Sequence, residues 1–219
     1  MARAAHGGAT DAPDMTAAVM ITTVLVAVYA VFLFWYGGRG RPLGAAEKER
    51  FVADLAGCCR TAQDREVLEQ VRELIANDDG REFVMHNLVR YRARAAYPPG
   101  YDFDDDPRKA DQRYGRAIIW PLLRHGNHPV FIARRSGRFI DPEAADQWHY
   151  VAMVRYRSRR DFLRFALAIE RQDIAVHKWA AVEKTHVFPV QPLVSLVLVR
   201  AAFGMALALV GVVAYGLLG

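Results

Sequence analysis

The side chains in this sequence with the chemistry for a site are arginines, histidines and one asparagine, set in apolar runs. Arg90 and Arg92 lie in the run Glu82–Arg92, and Arg155 and Arg157 lie in Trp148–Arg157. On two neighbouring strands, Arg90 and Arg155 would suit an anionic ligand; pairing with acids is the commoner use of such residues. Asn87 is a neutral amide inside an apolar strand. A buried amide costs roughly 1–3 kcal/mol unless it is hydrogen-bonded, so protein, water or ligand must answer it. Trp148 offers a flat apolar wall with one donor, and His177 an imidazole that titrates near neutrality. Together with Tyr91 and Tyr156, these three are the candidate ligand-binding residues. His86, His125, His128 and His149 have no carboxylate in matching spacing and read as exposed or hydrogen-bonded histidines. Asp102, Asp104, Asp105 and Asp106 lack the glycine and distal glutamate of a calcium loop. They read as a helix start, with Asp106 as cap and Pro107 at the first position. Cys58 and Cys59 are adjacent, with no third or fourth ligand, and read as two free thiols. No metal site is expected. No nucleophile–base pair or phosphate loop is present to define a reaction, and no cofactor can be assigned.

The elements that must position these groups follow from periodicity. In Glu82–Arg92, Phe83, Met85, Val89 and Tyr91 share one face at period two, with Val84 and Leu88 on the other. A strand apolar on both faces is usually covered on both. A capped helix follows from Pro107 through Tyr114, Ile118 and Leu122 to a left-handed stop at Gly126. Val130–Ala133 is a short strand, and Asp141-Pro142 opens a loop. Trp148–Arg157 is the second long strand. Ser158-Arg-Arg-Asp161 is a capping box that opens a second helix, and Val182–Val190 is the last strand. The order strand, helix, strand, strand, helix, strand is the ferredoxin-like pattern, so residues 80–190 are expected to form an α+β domain. Residues 45–79 are expected to be a helical linker in two pieces, the second restarted by Thr61-Ala-Gln-Asp64.

Charge and hydropathy are segregated. The 219 residues are 53% hydrophobic and 24% charged, yet of 29 Lys and Arg only Arg3 and Arg200 lie outside residues 37–192. Residues 16–36 carry no charge and at 1.5 Å per residue span about 31 Å, the thickness of a hydrocarbon core. Residues 193–218 carry only Arg200, and Gly204 with Ala208 forms a small-xxx-small pair for helix packing. Arg39, Arg41, Lys48 and Arg50 follow the first apolar segment, and Arg3 alone precedes it. This bias predicts a two-pass protein of the inner or plasma membrane, with residues 1–15 as a short external tail and the charged domain cytoplasmic. The net charge of +5 then suits anionic lipid, and with no aromatic-basic motif nucleic-acid binding is not expected.

The middle of the chain resembles the dimeric α/β-barrel superfamily, and within it a small uncharacterised branch. The resemblance is carried by Val84-Met-His-Asn-Leu-Val-Arg-Tyr91, by Arg113-Tyr-Gly-Arg116 with Gly126, by Val154-Arg-Tyr-Arg-Ser-Arg-Arg-Asp-Phe162 and by His177-Lys-Trp-Ala-Ala-Val-Glu-Lys-Thr185. Arg157 stands where the branch shows Pro, and the two flanking apolar segments are a further departure. The resemblance implies a homodimer in which two sheets meet face to face around a cavity. Val89, Tyr91, Tyr150 and Tyr156 are the residues expected to be buried in that contact. Heme-degrading monooxygenases of the superfamily use an Asn, a Trp and a His in that order, matched in order here by Asn87, Trp148 and His177.

Two classes of function follow. The first is a membrane-anchored dimeric module that binds, senses or assembles without catalysis, with the bilayer, a second copy and a small molecule as partners. The alternative is an oxygenase- or isomerase-like enzyme, of the heme-degrading kind among others, acting on a small lipophilic compound. The absence of a recognisable reacting pair favours the first.

Overall fold

The computed structural model describes residues 15–38, 40–140, 146–193 and 198–217, with the side chain of Gln63 left aside. The tail expected before residue 15, Arg39 and the Asp141-Pro142 loop start lie outside the described residues. The chain divides into two compact units, Tyr36–Val194 and the two flanking segments Met1–Trp35 and Ser195–Gly219.

The larger unit is built on four antiparallel strands: β1 (Phe83–Tyr91), β2 (His128–Arg134), β3 (Tyr150–Tyr156) and β4 (Val182–Val190), in the order β2-β3-β1-β4. β1 is a central strand, as its two apolar faces require. Helix α4 (Pro107–Arg124) joins β1 to β2, α5 (Arg159–Arg171) follows β3, and both lie on one side of the sheet. Strand order, antiparallel pairing and one-sided helices together make a ferredoxin-like α+β domain.

Local chemistry sets the helix ends. Asp106 accepts from the Arg108 N–H at 2.8 Å with Pro107 behind it, and Ser158 Oγ accepts from the Asp161 N–H at 3.1 Å. Gly126 has φ 72°, a left-handed turn that frees the chain to re-enter the sheet as β2. β3 is shorter at its start than its apolar run suggests. Trp148 lies before the strand, in a turn whose backbone N–H donates to the Asp146 carbonyl at 3.2 Å.

α5 is buried on two sides. Phe165 and Ile169, one turn apart, pack with Phe83, Met85, Leu122 and Tyr156 against the sheet. Leu163 and Leu167 point away from it and meet α2 (Ala45–Ala56) and α3 (Ala62–Ala76) through Phe51, Val52, Leu55, Leu68, Val71 and Ile75. Ion pairs hold the same layer. Arg160 Nε donates to Glu47 at 2.6 Å, and Arg159 reaches Asp79 at 2.9 Å. Residues 45–79 are therefore a third layer of the domain rather than a linker, and the boundary expected at residue 80 is not a boundary in packing. A short helix, α6 (Ala175–Ala181), follows α5 and leads into β4.

The smaller unit contains α1 (Met15–Gly37) as far as Trp35 and α7 (Val199–Gly216), two helices long and apolar enough to cross a membrane. They run antiparallel. Gly211 and Gly204, two turns apart, admit Leu25 and the Tyr29 ring, where added Cβ atoms would stand 3.1 and 3.4 Å from their neighbours. Phe32 and Phe203 rings lie 4.1 Å apart, and Tyr215 donates to the Ala18 carbonyl at 3.0 Å. The small residue that pairs with Gly204 in this contact is thus Gly211; Ala208 is exposed.

Candidate functional site

Register divides the candidate residues between two faces. Phe83 pairs with Tyr156, Met85 with Val154, Asn87 with Ala152 and Val89 with Tyr150, so these side chains share one face with Tyr91. That face is the one beneath α4 and α5. Tyr156 is 6% exposed, with its ring 5.0 Å from Phe162 and 5.9 Å from Phe165. Tyr91 donates to Asp111 of α4 at 2.8 Å, and Tyr150 donates to the other oxygen of the same carboxylate at 3.0 Å. Burial pushes the Asp111 carboxyl above its ordinary range despite the two donors, and burial followed by that carboxylate pushes both phenols up. A sheet–sheet contact through Tyr91 and Tyr156 is therefore corrected: the chain's own helices already cover that face.

Asn87 is half-buried on the covered face. Its amide nitrogen donates to the Met85 carbonyl at 3.0 Å and to the Ala152 carbonyl at 3.1 Å, so backbone answers the amide donors. His177, on α6, bonds through Nδ1 to the Tyr97 hydroxyl at 2.9 Å and meets the Phe103 ring edge-on at 5.1 Å. Burial, then the nearby Arg113, holds this imidazole below the ordinary histidine range. Trp148 sits in the turn before β3. Asn87, Trp148 and His177 thus occupy strand, turn and helix, and the hydrogen bonds given above bring no two of them to a common partner.

Arg90 and Arg155 are also apart. Arg155 pairs with Val84, six residues along β1 from Arg90, a separation of about 20 Å at strand rise. Arg155 is buried. Its Nε donates to Glu82 at 2.8 Å, Nη1 to the Gly126 carbonyl at 2.9 Å and Nη2 to the Tyr36 carbonyl at 2.9 Å, with the Tyr36 ring 3.9 Å above it. Arg90 pairs with Glu183 at 3.1 Å and Asp146 at 3.5 Å. The two arginines serve separate ends of the sheet rather than one anion. Arg157, in the position that departs from the resemblance, donates from Nε to Asp161 at 2.7 Å, while its backbone N–H donates to the buried Asn127 at 3.0 Å. A proline there would remove that N–H donor and the guanidinium from the cap of α5.

Among the described residues of the larger unit, no helix packs across the middle of the opposite face; Tyr36 reaches one end of it, its ring 5.5 Å from that of His128. Its rows, read by register from β4 to β2, are Phe188, His86, Met153 and Phe131, then His186, Leu88, Val151 and Ala133. Val84, Arg155 and His128 close one end, and Lys184 with Arg90 the other. The floor is apolar and half-buried, with Phe131 50% exposed at its edge. Among the described residues, four buried side-chain polar atoms lack a partner, and three lie on this face: His86 Nδ1, Arg90 Nε and His128 Nε2. Buried polar atoms are normally bonded, and Arg90 is engaged only through its other two nitrogens, so this apolar floor with its unanswered atoms is a candidate surface for a partner. Burial, reinforced by Arg155, lowers the His128 pKa below the ordinary histidine range. Sequence parity places His86 and Arg90 together on the face opposite Asn87, but does not reveal that their face is the open one.

Charged and thiol clusters are otherwise occupied. Asp104 accepts from Arg113 at 3.0 Å, and Asp105 pairs with Arg94. Cys58 and Cys59 each donate to a carbonyl one turn back at 3.5 Å, and burial raises the Cys59 thiol.

The larger unit is thus an α+β domain with a ferredoxin-like fold. The chain belongs to the family of the RPA0582 protein of Rhodopseudomonas palustris, a protein of unknown function. The crystal structure of that protein is 29% identical with a TM-score of 0.52, and the match covers 63% of this chain and 98% of that one. Its methylated form is 30% identical with a TM-score of 0.51, covering 63% and 95%. A more distant match is a dabb family protein with a ferredoxin-like fold from Mesorhizobium loti, at 12% identity and a TM-score of 0.33, covering 52% and 98%. No protein-family model and no curated protein matches the sequence.

Proposed function

We propose that this chain is a two-pass membrane protein whose ferredoxin-like unit lies in the cytoplasm and works as a dimeric binding or sensing module through its open sheet face. The observation that carries the binding reading is the apolar floor with three unanswered polar atoms, His86 Nδ1, Arg90 Nε and His128 Nε2. A second copy laid on this face would remove Phe131, Met153 and Phe188 from water. A large buried apolar side chain contributes on the order of 2 kcal/mol. Space left between two such floors would suit a small, largely apolar molecule with acceptors for arginine or groups complementary to imidazole.

The anchor reading is supported by where the chain leaves the unit. Tyr36, in the last turn of α1, is held by Arg155, which pairs with Val84; Val190, the last residue of β4, pairs with Val84 from the other side. Tyr36 and Val190, near the two ends of the larger unit's chain, therefore lie at one end of the sheet, which is compatible with a membrane hairpin. The basic residues after α1 favour that end as the cytoplasmic side. Terminal fusions test the topology: reporters active outside the membrane should work at both ends. A cytoplasmic reporter active at residue 1 would contradict it. An enzymatic reading through Asn87, Trp148 and His177 draws no support from their separate surroundings, and we assign them no catalytic role.

A further inference from the structure

The outer surface of α4 carries an arrangement that neither the core nor the open face uses. Ile118 and Leu122 turn inward to the sheet core. On the opposite side of the same two turns, Arg116, Ile119, Trp120, Leu123 and Arg124 form one stripe, at i, i+3, i+4, i+7 and i+8. Trp120 is 71% exposed, Ile119 43% and Leu123 37%. Arg116 and Arg124 are exposed, and neither has an ion-pair partner among the described residues. No acid lies in the sequence from Gln112 to His125.

We propose that this stripe is a bilayer-surface contact for anionic lipid, with Trp120 and the two aliphatic side chains seated at the headgroup boundary and the two guanidinium groups on lipid phosphates. The inference rests on the membrane-anchor reading above and adds a surface to it. Tryptophan favours that boundary because its ring is apolar and its N–H needs an acceptor. Arginine beside it combines a snorkelling stem with phosphate bonding, and the stripe's unbalanced positive charge complements an anionic leaflet. Position points the same way. α4 ends two residues before Gly126, whose carbonyl is bonded to Arg155, the residue that also holds Tyr36. The stripe's end is thus at the end of the sheet where Tyr36, the first residue of the larger unit, is held.

The test uses the full chain in vesicles of phosphatidylcholine with phosphatidylglycerol, the acyl chains brominated near the headgroup. Two forms are compared, each with one tryptophan kept and the other three changed to Phe: one keeps Trp120, the other Trp35 within α1. Expected is a loss of Trp120 emission comparable to that of Trp35, reduced by Arg116→Glu with Arg124→Glu and reduced when phosphatidylglycerol is omitted. If Trp35 is quenched while Trp120 is reached only by aqueous iodide, the inference fails and the anchor stands. If Trp120 is shielded from both quenchers, a protein contact covers the stripe and the lipid assignment is overturned. If Trp35 is not quenched either, the anchor reading fails and the inference with it.

Discussion

Asn87 and Asp161 show what single polar groups do in this domain. Asn87 donates to two strand carbonyls, so its removal costs hydrogen bonds within the sheet. Asn87→Ala should lower stability by about 1–2 kcal/mol in denaturant unfolding. Any bound small molecule should be retained while the variant is folded; loss of binding without loss of stability would return Asn87 to a site. Asp161 is buried beneath Arg157 and Ser158. Burial alone would raise its carboxyl, but Arg157, Ser158 and Arg164 outweigh it and hold the pKa below the ordinary value. A carboxyl whose folded pKa is depressed adds stability above its unfolded pKa, and that stability is lost as pH falls through the folded value. Asp161→Asn should therefore cost about 3 kcal/mol near neutrality and flatten the decline in unfolding midpoint below about pH 4. An unchanged acid limb would place the titration elsewhere.

Among the elements, most boundaries were legible, but the covered face, the start of β3 and the third layer were not. Alternation located the strands, and Asp106, Thr61, Ser158 and Gly126 marked helix boundaries because caps and left-handed turns need particular side chains. Parity grouped Tyr91 with Phe83 and Met85, but both faces of β1 are apolar, so composition could not decide which one the helices would cover. Tyr91 and Tyr156 went under α4 and α5, where Asp111 and the Phe162–Phe165 pair receive them; the open face kept His86, Arg90 and His128. Trp148 looked like strand because its run alternates, yet the turn at Asp146 claims it. The third layer was hidden for a related reason: the second apolar side of α5, Leu163 and Leu167, is visible only once α2 and α3 are known to meet it. Leu163 is fully buried there. Leu163→Ala should cost about 3 kcal/mol in guanidinium unfolding followed in detergent. A cost near zero would mean that α2 and α3 are a tether after all.

For the whole molecule, the open sheet face is the proposed meeting place with a partner, and the proposed partner is a second copy. A photo-reactive phenylalanine analogue at Phe131, which lies half-exposed on that face, tests it in native membranes. The control is the same analogue at Glu69, on the outer surface of α3. This comparison separates the sheet face from association through α1 and α7, which would bring copies together without placing anything on Phe131. Illumination should give a species of twice the monomer mass from position 131 and not from position 69. Monomer alone from position 131, with the protein folded and in the membrane, would contradict the proposed pairing.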